Sequence, residues 1–207
     1  ALVESYKKGF RIFEADMSET KDGEIAIFHH KALDHIGMSR GINEVSLDYF
    51  LSHKSFGKFT LLSLDELLGF MVEYEDLYLV TDIKSDLFSG IQKILQSKIV
   101  ANHPEILDRI IPQIYEPQEL SQVLALHPFA DIIFTLYKTS ITNEEVVDFV
   151  ANHPEITAVT MSANMRYTEK IYKALKDLGV VIFVHTVNDP KKMQMFIQKG
   201  VGVYTDN

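Results

Sequence analysis

Short runs rich in β-branched and aromatic residues alternate along the chain with longer segments in which apolar side chains recur every three or four positions. The first pattern suits a half-buried or buried strand and the second an amphipathic helix. Strands are predicted at residues 10–17, 25–29, 77–83, 110–115, 132–136, 158–161, 180–186 and 201–204, and helices at 63–74, 88–102, 117–127, 143–152, 167–178 and 190–199. Strand–helix alternation of this kind points to βα units and a parallel sheet, not a sandwich. Ser63, followed three residues later by Glu66, has the spacing of a capping box. Lys21-Asp22-Gly23 predicts a tight turn between the first two strands, without room for a helix.

Two segments break the rhythm. Residues 1–9 read as a helix already under way, with lysines in the last turn and Gly9 as its stop, so a strand ahead of Ala1 is expected but unseen. Residues 31–59 carry scattered Gly, Ser and His, and are too long for a passive linker, so a loop over the site is predicted there. An echo, Val-Ala-Asn-His-Pro-Glu-Ile, occupies 100–106 and again 150–156. Proline disfavours helical geometry in the residue before it, so both copies are read as helix stops, not as a metal site built from His103 and His153. The predicted architecture is α/β, a TIM (β/α)8-type barrel lacking its first strand, in a single domain over 1–207. With eight strand candidates plus the unseen one, at least one is surplus, and 158–161 is the expected irregular piece.

At 207 residues and 46% hydrophobic content the chain can bury a sizeable core. No run reaches the roughly 18 uncharged apolar residues of a membrane span. Twenty basic against twenty-nine acidic residues give a net charge of −9, which opposes attraction to phosphate polymers and argues against a nucleic-acid partner. The absence of cysteine excludes disulfides, thiolate metal sites and a cysteine nucleophile. It leaves the compartment open, the cytoplasm being favoured. The oligomeric state is not readable.

In a parallel barrel the working residues stand at the C-terminal ends of strands. Glu14 and Asp16, two apart, share one face of their strand. Asp82 and Lys84 close a second strand in the same way, and His29 closes a third. Two unpaired carboxylates about 4 Å apart repel by about 4 kcal/mol at an effective dielectric near 20, and a cation reverses that cost. Oxygen ligands favour one hard divalent ion, Mg2+ or Ca2+, with Mn2+ as a further choice. If His29 faces a metal-bound phosphate, it is suited to donate a proton to a departing alkoxide and Lys84 to offer charge to the phosphate oxygens, while His30 is expected to point the other way. Gln113, Tyr115 and His185 are weaker inward candidates for substrate contact.

Glu14-Ala15-Asp16, then Thr20-Lys21-Asp22-Gly23, then Phe28-His29, resembles in order and spacing the motif string of the glycerophosphodiester phosphodiesterase family, within the phospholipase-C-like phosphodiesterases. Asp82-Ile83-Lys84, Thr186-Val187-Asn188 and Tyr204-Thr205-Asp206 look like further landmarks. The resemblance implies that Glu14, Asp16 and Asp82 hold the divalent ion, that His29 protonates the leaving alcohol, and that Lys84 contacts phosphate. It also implies a second histidine on the first barrel strand, which nothing in this sequence matches. The chain as given would then hold half of the acid/base pair. Three positions depart from the pattern: His30 stands where the family usually has Asp, Asp82 where it has Glu, and His185 where a Trp is common.

Three functions compete. One is metal-dependent hydrolysis of a small-molecule phosphodiester, most readily a glycerophosphodiester. A second is a noncatalytic barrel that binds a phosphorylated ligand or partner. A third is a barrel using Lys84 as a Schiff base, which is poorer because neighbouring carboxylates stabilise the charged lysine.

Overall fold

Gly9 stops the first helix, α1 (Leu2–Lys7), by taking up a φ of 99° that side chains with a Cβ resist. The Gly9 amide donates to Tyr6 O at 2.9 Å and the Phe10 amide to Ser5 O at 3.2 Å, which is a Schellman closure. The structure, a computed structural model, describes residues 2–206, so the Ala1 end of the predicted helix and Asn207 lie outside the described residues. Two compact units divide it, residues 2–112 with 126–128, and 113–125 with 129–206.

In the first unit β1 (Ile12–Glu19) runs two residues beyond its predicted end and turns back into β2 (Ile25–Ile27), antiparallel, with Met17 opposite Ile27. The turn is the Lys21-Asp22-Gly23 segment, with Gly23 at φ 82°. Residues 31–61 do not form a bare loop. They contain two 3-10 turns, α2 (Leu47–Leu51) and the small hairpin β3 (Lys54–Ser55) and β4 (Phe59–Thr60). Ile36, Met38, Ile42, Val45, Phe50 and Leu61 bury against Ala26 as a local core. Apolar residues at irregular intervals gave this insert no helical or strand period, which is why the sequence pattern missed it.

β5 (Leu62–Ser63) pairs with β2 and leads into α3 (Leu64–Glu73). Ser63 and Glu66 cap α3 reciprocally, as the spacing predicts. β6 (Tyr78–Ile83) pairs in parallel with β1, bringing Asp82 opposite Asp16. The helix predicted at 88–102 is two helices, α4 (Leu87–Gln96) and α5 (Lys98–Asn102). Ser97 ends one and starts the other, accepting from the Ile99 amide and donating to Asp65. β7 (Ile110–Ile114) pairs with β6 through Ile110, Ile111 and Pro112.

The second unit repeats strand and helix. Gln113 and Ile114 of β7 pair with β8 (Ile132–Thr135), which pairs with β9 (Ile156–Ser162); β10 (Val181–His185) and β11 (Gly202–Val203) follow, all parallel. The intervening helices are α6 (Glu119–Leu126), α7 (Asn143–Asn152), α8 (Glu169–Asp177) and α9 (Pro190–Gln198). The segment expected to be irregular lies in a seven-residue strand paired on both sides, with one register shift at its start, where Ile132 and Ile133 face Ile156 and Ala158. The surplus strand is the antiparallel β2. Both Asn-His-Pro copies end helices, with His103 and His153 as the C-terminal caps of α5 and α7.

Candidate functional site

β1 alternates strictly through its middle: Ala15 and Met17 are buried in the core, while Glu14 and Asp16 lie on the opposite face. Parallel pairing at matched register sets Asp82 of β6 beside Asp16. One carboxylate oxygen from each of Glu14, Asp16 and Asp82 lies within 4.8 Å of the other two. Asp82 is buried, Asp16 half-buried, and Glu14 open at the rim. The backbone holds this arrangement beyond the strands, since the Lys84 amide donates to Met17 O at 2.8 Å.

Lys84 reaches back over the carboxylates, its Nζ 2.7 Å from Asp16 Oδ1 and 2.5 Å from Asp82 Oδ2. Burial disfavours its charge, but the hydrogen bonds and the charges of Asp16 and Asp82 outweigh that and raise its pKa above the ordinary lysine value. A lysine held this firmly as an ammonium is a poor Schiff-base nucleophile. For Glu14, crowding by protein atoms, the charge of Asp16 and a hydrogen bond with Asp82 push the carboxyl up to about 9. Glu14 itself stays open to solvent. The like charges sustain the direction.

Such a site fits a hard cation. Three oxygen donors converge, one of them keeps a proton without a cation, and a single ammonium offsets the other two.

His29 follows β2, one residue beyond the point where the Phe28 amide is pinned to Asp16 O at 2.8 Å. Its Nδ1 accepts from the Lys31 amide at 3.1 Å, so the neutral ring carries its proton on Nε2. The imidazolium, protonated on both nitrogens, must give that contact up. His30 does not point away as expected. Its ring stacks on His29 with centroids 4.9 Å apart and planes 11° apart, and it lines a pocket together with Lys84. A tight turn, not a continuing strand, carries both histidines, so the strand's alternation no longer separates them. Burial, then the positive charges of His29, Lys31 and Lys84, lower the His30 pKa.

The Thr-Lys-Asp-Gly segment has a structural task. Asp22 accepts from Thr20 Oγ1 at 2.6 Å and from the Leu47 amide at 3.0 Å, tying the insert to the hairpin. Lys93 of α4 bonds the Gly23 carbonyl and Glu19. Sequence reasoning missed Asn43 and Ser85, which join His30 and Lys84 around the pocket. Neither carries a motif, and Asn43 sits in the aperiodic insert.

In the second unit Gln113 is buried and donates from Nε2 to Tyr115 Oη at 2.8 Å. Lys138 stands 4.1 Å from the Tyr115 ring centre. His185 ends β10; burial lowers its pKa, its Nε2 has no hydrogen-bond partner among the described residues, and the Tyr137 ring meets it edge-on.

A search of curated proteins finds no match. Among solved structures, an Oleispira antarctica phosphodiesterase in complex with the product sn-glycerol-3-phosphate is similar at 16% identity and TM-score 0.79, over 99% of this chain and 85% of that one. A glycerophosphodiester phosphodiesterase from Thermotoga maritima matches at 18% identity and TM-score 0.76, over 100% and 86%. One from Parabacteroides distasonis matches at 18% and 0.71, over 99% and 83%. These likenesses show the fold, α/β of the TIM (β/α)8 type. The model of the glycerophosphoryl diester phosphodiesterase family matches residues 1–207, so the chain belongs to that family and is a phosphoric diester hydrolase.

Proposed function

We propose that the chain hydrolyses glycerophosphodiester-like substrates with one divalent cation, Mg2+ or Ca2+ and also Mn2+, held by Glu14, Asp16 and Asp82. The observation that carries this reading is the convergence of three carboxylates and one ammonium at the ends of two paired strands. When bound, such an ion supplies Lewis-acid polarisation and a template for the diester. Lys84 then neutralises charge that builds on the phosphoryl oxygens. His29, as the imidazolium, gives its Nε2 proton to the departing alcohol oxygen, which leaves the neutral ring protonated on Nδ1; when Nε2 takes a proton back from solvent and Nδ1 releases its own, the ring returns to the tautomer that accepts from the Lys31 amide.

The family match running through both units supports reading 1–207 as one phosphodiesterase domain. Gln113, Tyr115 and His185 are kept as substrate residues because they stand at or near C-terminal strand ends, where barrels of this type do chemistry.

Calorimetric titration with Mg2+, Ca2+ and Mn2+, followed by assay of bis(p-nitrophenyl) phosphate and of glycerophosphodiesters, tests the proposal. One ion per chain should bind, hydrolysis should stop with chelator, and Asp16→Ala should abolish both. Hydrolysis that persists in chelator, or cation binding that survives Asp16→Ala, would refute it.

A further inference from the structure

The tip of the β3–β4 hairpin breaks two rules at one residue. Among the described residues Phe56 is the one non-glycine with a positive φ, at 50°, and Gly57 follows it at 71°. Consecutive left-handed residues in a hairpin favour Gly, Asn or Asp, and a bulky side chain is strained there. Burial does not compensate. The Phe56 ring is 64% exposed, and Phe59 across the turn is 45% exposed. Neither backbone preference nor packing within the chain accounts for a phenylalanine at this position.

The tip is nonetheless held in place. The Phe56 amide donates to His35 O at 2.7 Å, and the His35 imidazole lies against the Phe56 ring with centroids 4.6 Å apart. Leu61, just beyond β4, is buried with Phe50 in the core of the insert. An aromatic that is strained, fixed and turned outward points to a contact made outside the chain.

Shape and charge say what kind of contact. Residues 56–60 are exposed on both faces of the ribbon, so the tip is a protrusion, without a groove to receive a peptide or a small molecule. Lys54 and Lys58 flank Phe56, and neither forms an ion pair among the described residues. The Lys58 Nζ stands 4.7 Å from the Phe59 ring centre. No acidic residue occurs from Tyr49 to Leu64, in a chain that has twenty-nine of them. Asp34, next to His35, is the acidic neighbour on the 3-10 turn against which the hairpin packs. Phenyl rings beside ammonium groups on long apolar stems suit the boundary between acyl chains and anionic headgroups.

We propose that residues 54–59 dock the protein on the surface of a bilayer that contains anionic lipid. Phe56 and Phe59 enter the headgroup region, and Lys54 and Lys58 meet the lipid charges. The net charge of −9 confines the contact to this face and makes it reversible and dependent on salt. This docking is independent of the cation site and of the diester it acts on.

The chain has no tryptophan, so Phe56→Trp supplies a single reporter in the full protein. With vesicles of phosphatidylglycerol and phosphatidylcholine, its emission should move to shorter wavelength and be quenched by brominated acyl chains. Vesicles of phosphatidylcholine alone should bind more weakly by about tenfold or more, since each lysine near an anionic surface contributes about fivefold. High salt, or Lys54→Glu combined with Lys58→Glu, should have the same effect. Phe56→Asn is the decisive variant. It relieves the left-handed backbone, so it should melt higher than the wild type while its co-sedimentation with anionic vesicles weakens by about tenfold. A misfolded variant cannot give that pair of results. Hydrolysis of bis(p-nitrophenyl) phosphate in the absence of vesicles should be the same in every variant. Wild type that leaves anionic vesicles unbound, a reporter whose emission does not move, or binding that survives both Phe56→Asn and the lysine reversals overturns the proposal. Dimers that form without vesicle binding and are lost in Phe56→Asn also overturn it, by making the tip a contact between copies of the chain.

Discussion

Lys84 has two tasks that different measurements separate. It contacts Asp16 and Asp82 directly, so Lys84→Ala leaves three clustered carboxylates without their ammonium. We expect the variant to melt lower than the wild type without cation and to recover most of the difference when Mg2+ is added, because the ion supplies the missing positive charge. Its activity should stay down by about 10²–10³-fold even at saturating cation, the typical cost of losing a positive group at a developing charge. Full recovery of activity along with stability would show that Lys84 never touches phosphate. Glu14 gives a pH signature. Its folded pKa, raised to about 9, lies above the ordinary carboxylate value of 4.5, so the folded state without cation binds the extra proton. This contribution to stability is fully present below the lower value and is lost as pH rises through the upper one. Melting temperature without cation should therefore fall across that window, and Glu14→Gln should flatten the slope. Cation affinity should move the opposite way, rising with pH because binding expels the proton.

At the scale of elements, the site depends on how closely α4 approaches β6. Gly90 faces Ile83, and a Cβ there would come within 2.7 Å of Ile83 Cγ2 and 2.8 Å of Cδ1. Ile83 stands between Asp82 and Lys84, so Gly90→Ala must push the helix off the very residues that shape the cluster. We expect a loss of about 1–3 kcal/mol in unfolding free energy, the usual cost of overpacking, with weaker cation affinity as a separate consequence. An unchanged affinity in a destabilised protein would mean that the strand end holds its shape without the helix. The elements most legible in the sequence were those with both period and punctuation, such as α3, opened by the Ser63–Glu66 capping box, and α7, closed by the Asn-His-Pro stop at His153. Glu14, Asp16, Asp82 and Lys84 were legible for a related reason: strand alternation fixes which side chains share a face. The alternation fails past Ile27, where the chain turns, and with it failed the expectation for His30. Asn43 lay beyond reach because it sits in the insert, whose apolar residues have no period to read.

Across the whole molecule, the net charge of −9 sets a long-range field that opposes the local one. A phosphodiester is an anion, and before it meets Lys84, Lys21 or a bound cation it must approach a protein of like sign. The screening length falls from about 30 Å at 0.01 M salt to about 8 Å at 0.15 M. Over that range the repulsion of distant surface carboxylates fades, whereas the attraction of groups within a few ångströms of the phosphate is largely kept. With cation saturating throughout, so that salt competition for Glu14, Asp16 and Asp82 does not intrude, kcat/KM for a glycerophosphodiester should rise modestly with potassium chloride and then level off. An uncharged chromogenic ester docked in the same pocket as a competitive inhibitor should show no such trend, which separates screening from any effect of salt on folding. A steady fall of kcat/KM from the lowest salt upward would instead mean that the basic groups at the site dominate encounter and that the acidic surface is electrostatically remote from it.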